Sequence, residues 1–132
     1  MSYLEWTPNL SVGSDTIDSQ HKKLIEMVNR AFEGVRDPSL NKGGALLAEL
    51  LDYTRFHFAE EEKVMKAVGF PDTDAHRRLH HDLVRQVTDM QRRYVADPAA
   101  VPAADAFKFL SDWLMRHIVA EDMRMQPYVL VG

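Results

Sequence analysis

Residues 46–65 read LLAELLDYTRFHFAEEEKVM, and this stretch decides the fold. Leu46, Leu47, Leu50, Thr54, His57, Phe58, Glu61 and Met65 recur at the three- and four-residue steps of one helix face. Residues four apart on a helix are neighbours, so His57 and Glu61 point at a common spot. That spot lies on the stripe that should pack against other helices. Burying an imidazole and a carboxylate there is costly unless something binds them.

The same anomaly recurs on three further helical segments. His21 opens a face continued by Leu24, Ile25, Val28, Ala31, Phe32 and Val35. His76 and His80 share a stripe with Leu79, Leu83, Val84, Val87, Met90 and Tyr94. His117 falls among Phe107, Leu110, Trp113, Leu114 and Ile118, with Asp122 five residues on. The sixth histidine, His81, shares its face with Arg77, Arg85 and Thr88, and is expected in solvent.

Punctuation separates these segments. Residues 1–16 read as an irregular arm, and Asp18 or Ser19 can cap the first helix. Asp37-Pro38 ends it, because the residue before proline avoids the α region. The second helix begins near residues 39–44 and stops at Gly69-Phe70-Pro71. Asp72, Thr73 or Asp74 can cap the third, and Asp97-Pro98 follows it. The fourth starts after Pro102, and the chain is expected to leave the helix at Gln126-Pro127-Tyr128. No strand-like alternation, fixed-period repeat or low-complexity tract appears. Short connections make consecutive helices antiparallel. The expected fold is therefore all-α: one domain over 1–132, an up-down-up-down antiparallel four-helix bundle over about 18–122, the arm before it and a tail at 123–132.

The chain has 132 residues, enough for one core, and a net charge of −4 with no basic tract. Nucleic acid and anionic membrane surfaces are therefore not the expected partners. No apolar run approaches a membrane span, and no signal peptide is visible. Cysteine is absent, which removes disulfides, iron–sulfur clusters, thiolate zinc sites and cysteine nucleophiles from this chain. A cytoplasmic monomer is expected.

Taken singly, each buried histidine reads as a core residue bonded to a carbonyl. Five on four helices would need a separate partner each, whereas a shared metal pair satisfies all of them. Any such metal must bind through nitrogen and oxygen, which suits Fe, Mn, Ni or Zn. Two six-coordinate ions bridged by two carboxylates and a solvent oxygen have room for six terminal donors. Five imidazoles leave one position vacant, where a small molecule can bind. Other metal patterns fit poorly. No Glu lies three residues before a His, as the carboxylate-rich di-iron bundles require, and no His-Glu-x-x-His is present. There is no phosphate loop and no nucleophile elbow. Glu60 and Glu62 read as a solvated face with Glu61 alone turned inward, and the seven methionines as gap fillers.

The chain resembles the hemerythrin family, specifically its single-domain bacterial type. The resemblance rests on Trp6…Val12-Gly13, Ile17-Asp18-x-Gln20-His21-Lys22-x-Leu24, His57-Phe58-x-x-Glu61-Glu62, His76-x-x-x-His80 and Trp113-Leu114-x-x-His117-Ile118-x-x-x-Asp122. It spans nearly the whole chain, with seven expected ligands in order. It implies two non-heme irons joined by an oxo or hydroxo bridge. His76, His80 and His117 would hold one iron, His21 and His57 the other, and Glu61 and Asp122 would bridge them. It also implies O2 binding at the open position, in a pocket lined by Leu24, Phe58, Trp113, Leu114 and Ile118. The choice of Asp122 comes from the resemblance, because five residues on a regular helix is about 140° off the His117 direction. Glu121 would be better placed unless the helix loosens near residues 119–122.

The implied activity is reversible O2 binding for storage, transport or delivery, without catalysis. Two rivals use the same metals: an O2 or redox sensor acting through a partner, and an enzyme acting on nitric oxide or peroxide. A protein partner for O2 or electron delivery stays open.

Overall fold

The computed structural model describes residues 4–37, 39 and 42–131. Among these there are helices and no strands. Four long helices form the up-down-up-down antiparallel bundle: α1 (Asp15–Arg36), α2 (Gly43–Val68), α3 (Thr73–Ala96) and α4 (Ala103–Arg116). Helix α1 packs against α2 and α4, and α2 against α3, whereas the α3–α4 seam is the loosest of the four. No helix among the described residues is long and apolar enough to cross a membrane.

The first helix starts earlier than the sequence suggests. Ser14 is its cap, its hydroxyl accepting from Ile17 N–H at 3.3 Å. Asp18, read above as a possible cap, has another task. It is buried, and its carboxylate accepts from the Ser11 hydroxyl at 2.5 Å and from Val12 N–H at 2.9 Å. This ties the arm, including a 3-10 turn at Pro8–Leu10, onto α1. Between them Gly13 turns the chain at φ +88°, a conformation that favours glycine.

Asp37 ends α1. Pro38, the Leu40–Asn41 part of the expected α2 start, and the Phe107 side chain lie outside the described residues. Gly69 closes α2 at φ 72°, where the left-handed conformation lets Phe70 N–H reach back to Met65 O at 2.9 Å. The end of the chain differs from expectation. After α4 come a π turn (His117–Glu121), a 3-10 turn (Asp122–Met125) and a short helix, α5 (Gln126–Val131), where an unwound tail was expected. Gln126 donates from Nε2 to Ser11 O at 3.0 Å, and Tyr128 sets its ring against Phe70, so the tail folds back over the arm end.

The apolar core is split. A large cluster includes Leu24, Val28, Leu47, Leu50, Val87 and Leu110; a small one holds Val12, Ile17, Met65, Phe70 and Met125. Ile17 lies four residues before His21, and Met65 four after Glu61. The polar layer therefore sits between the two clusters, near the arm end.

Replacing Asp18 with Ala leaves Val12 N–H buried without an acceptor. We expect Asp18→Ala to lower unfolding stability by about 2 kcal/mol in urea titration, with helical content unchanged. Unaltered stability would mean that this contact does not hold the arm.

Candidate metal centre

Each helix delivers its polar residues to one layer. His21 comes from α1, His57 and Glu61 from α2, His76 and His80 from α3, and His117 from the end of α4. All six, together with Asp122, are at most 5% exposed. The i,i+4 spacing of His57 with Glu61, and of His76 with His80, puts each pair on one face. His81 is exposed, as expected.

Asp122 reaches the layer because the backbone changes pitch. The π turn begins at His117 itself, and Asp122 N–H bonds to the His117 carbonyl, closing a five-residue loop. Five residues now make about one full turn, so Asp122 falls beside His117. Glu121 is turned outward, half-buried, with Arg124 Nη1 3.6 Å from its carboxylate.

The distances divide the imidazoles into two groups. Glu61 Oε1 lies 3.0 Å from His76 Nε2, 2.9 Å from His80 Nε2 and 3.6 Å from His117 Nε2. Its other oxygen, Oε2, lies 3.3 Å from His21 Nε2 and 3.1 Å from His57 Nε2. Asp122 repeats the division: Oδ1 is 2.9 Å from both His76 and His117, and Oδ2 is 3.0 Å from His21. Two sets of donor atoms result, one with His76, His80 and His117 and one with His21 and His57, sharing both carboxylates.

These donors suit cations better than they suit one another. His57 Nε2 and both Asp122 oxygens are buried without an aligned hydrogen bond, although partners lie about 3 Å away. They converge on common points between them. Two ligand atoms each ~2.1 Å from one ion, at right angles, are ~3.0 Å apart. Two outer ring nitrogens agree, whereas Nδ1 of His21 and Nδ1 of His76 are buried without a partner. His57 Nδ1 faces the Gln20 amide oxygen at 2.7 Å, and His80 Nδ1 faces Glu62 Oε2 at 2.8 Å. Both partners accept, so each neutral ring carries its proton on Nδ1 and aims the Nε2 lone pair inward. His80 Nε2 then turns its lone pair toward a carboxylate oxygen at 2.9 Å, a repulsion that a cation between them relieves.

The family model described as the hemerythrin HHE cation binding domain matches residues 12–129. The chain belongs to the hemerythrin family. A bacteriohemerythrin of Stenotrophomonas maltophilia is 34% identical over 123 residues, covering 92% of this chain and 78% of that protein. One from Methylococcus capsulatus is 32% identical over 128 residues, covering 96% and 97%. A crystal structure of wild-type hemerythrin superposes with a TM-score of 0.86 at 30% identity, covering 97% of this chain and 98% of that one.

In this hemerythrin-family chain an apolar cavity of about 190 Å³ adjoins the polar layer, too narrow to lodge a water-sized sphere. Leu24, Phe58, Trp113, Leu114 and Ile118 line it with His21, His57, His117 and Asp122, and so does Leu83. Leu83 was missing from the expected lining, although its place three residues after His80 on the same stripe was a usable signal. Gln20 and Glu62 belong to the motif, but residue spacing gives them no role. Glu62 was moreover read as solvated, yet it is half-buried, bonded to His80 and paired with Arg77 Nε at 3.2 Å.

Without metal the layer is a charged cluster. Burial alone would lower the imidazoles, but Asp122 and Glu61 outweigh it and raise His21 and His76 to about 9 and His117 to about 10. Burial would raise both carboxyls, yet the imidazoles hold Glu61 well below its usual range and Asp122 at about 2. Raised imidazole values stabilise the fold fully below the unfolded value of 6.5, and that contribution disappears as pH climbs through 9 to 10. Lowered carboxyl values stabilise it above roughly pH 4 and fail as pH falls toward 2. Metal displaces the imidazole protons. We therefore expect the melting temperature of the metal-free protein to fall from pH 6.5 to 10 while that of the loaded protein holds. Calorimetry on both forms checks this, and a metal-free value that rises over this range contradicts it.

Proposed function

We propose that this chain binds O2 reversibly at two non-heme irons and serves oxygen storage, transport or delivery. The observation that carries the proposal is the unequal division of imidazoles about two shared carboxylates, with an apolar cavity touching both members of the smaller group and one of the larger. His76, His80 and His117 would hold one iron, and His21 and His57 the other, with Glu61 and Asp122 bridging. That division would give one ion three imidazoles and the other two, so the second would be one protein donor short. The cavity touches both His21 and His57 but only His117 of the other three imidazoles, so the two-histidine side would face the apolar space more fully. An iron pair bound there supplies the electrons and the open position that reversible O2 binding needs.

The chain's own residues supply the rest. Gln20 and Glu62 fix the ring orientation of His57 and His80. Leu24, Phe58, Trp113, Leu114 and Ile118 keep water and its protons from a bound guest, the condition for releasing O2 unchanged. A ligand shell dominated by neutral imidazole favours reversible binding over oxidation of a second substrate.

Metal analysis with visible spectra tests the proposal. The reduced protein should hold about two irons per chain, develop visible bands in air and lose them under argon over repeated cycles. Sustained O2 or nitric oxide consumption with a reductant would instead make it an enzyme. His57→Ala should fail to retain the full iron complement, whereas His81→Ala should retain it; equal iron content in the two variants would contradict the ligand assignment.

A further inference from the structure

We infer that a small apolar gas reaches the cavity from the groove between α3 and α4, with Leu83 as the moving part of the wall. The inference rests on the O2 reading for its purpose, though not for its geometry. The groove is open to solvent, has a volume of about 340 Å³, and has Leu79, Leu83, Phe109 and Trp113 among its apolar walls. Leu83, Trp113 and His117 line both groove and cavity, so they form the partition between them. The α3–α4 seam is also where the bundle's helices approach least closely.

The three partition residues differ in freedom. His117 is buried and committed to the polar layer. Trp113 is buried, and its indole Nε1 donates to the Leu83 carbonyl at 3.2 Å. The Leu83 side chain is half-buried and apolar, free to exchange between staggered rotamers without breaking a polar contact. A competing groove bordered by Arg55, His81 and Val84 meets the cavity through Phe58. That ring is buried and stacked on His80, centroids 3.8 Å apart and planes 4° from parallel, so moving it disturbs the polar layer.

The test is stopped-flow measurement of O2 uptake and release by the reduced, iron-loaded protein. Leu83→Trp should slow both rates by about tenfold, Leu83→Ala should quicken both, and His81→Trp at the competing groove should change neither. Xenon exchange followed by NMR in the zinc-loaded protein gives the same comparison without O2 chemistry: the resting cavity is too narrow for a water-sized sphere, so xenon enters only when the Leu83 wall swings outward, and Leu83→Trp should slow its exchange. Absence of an O2 adduct in the parent protein, with xenon exchange still slowed by Leu83→Trp, would sink the function and uphold the path. The path is overturned if Leu83→Trp leaves xenon exchange unchanged, if His81→Trp slows either gas, or if the Leu83 variants alter release alone.

Discussion

One carboxylate faces every buried imidazole in this protein. Glu61 turns Oε1 to His76, His80 and His117 and Oε2 to His21 and His57, at zero exposure. An ionised carboxylate that is fully desolvated is tolerated only when cationic or strongly donating partners surround it. Those partners come from all four helices, so the bundle cannot slide one helix along another without stranding a charge. Apolar stripes bring the helices together, but leucine and valine against leucine and valine tolerate many registers. The polar layer tolerates one. In this sense the centre specifies the packing as much as the packing builds the centre.

Much of this was legible because helical periodicity reports which residues share a face. His57 with Glu61 and His76 with His80 need nothing beyond the i,i+4 rule, and His81 is separated from His80 by the same logic. Asp122 was not legible that way. On a regular helix Glu121 is the better candidate, and no propensity argument places a π turn at residues 117–121; the resemblance supplied what periodicity could not. The reason is physical. An inserted residue is tolerated where a tertiary interaction gains from it, and that interaction is invisible in a local window. The start of α1 failed for a related reason: Asp18 and Ser14 are both good capping residues, and only the tertiary contacts with Ser11 and Val12 assign Asp18 elsewhere.

Glu62 shows a different blindness. A run of three acids reads as a solvated face, and two of its members are at least partly so. Glu62 is drawn inward because His80 needs an acceptor at Nδ1 if its lone pair is to point at the centre. Arg77 completes the chain, holding the carboxylate from outside. On the two-histidine side a neutral amide, Gln20, does the corresponding work for His57. Such outer partners are recognised only after the ring orientations are known, since sequence records which residues are polar and not which nitrogen faces inward.

The asymmetry of the site follows from where the layer lies. The small cluster of Ile17, Met65, Phe70 and Met125 closes the arm end, and the tail folds over it. The opposite side abuts the large cluster, and there Leu24, Phe58, Leu114 and Ile118 border a void against the edge of the polar layer. A void beside a charged layer would ordinarily fill with water, which would solvate the carboxylates. Here the wall atoms facing the space are apolar and offer a water molecule few partners, so water is disfavoured there although His21, His57, His117 and Asp122 border it. Dryness and proximity to charge are opposed requirements. The four-helix geometry reconciles them by setting polar-layer histidines and leucines one turn apart on the same faces, as in His21 with Leu24 and His80 with Leu83.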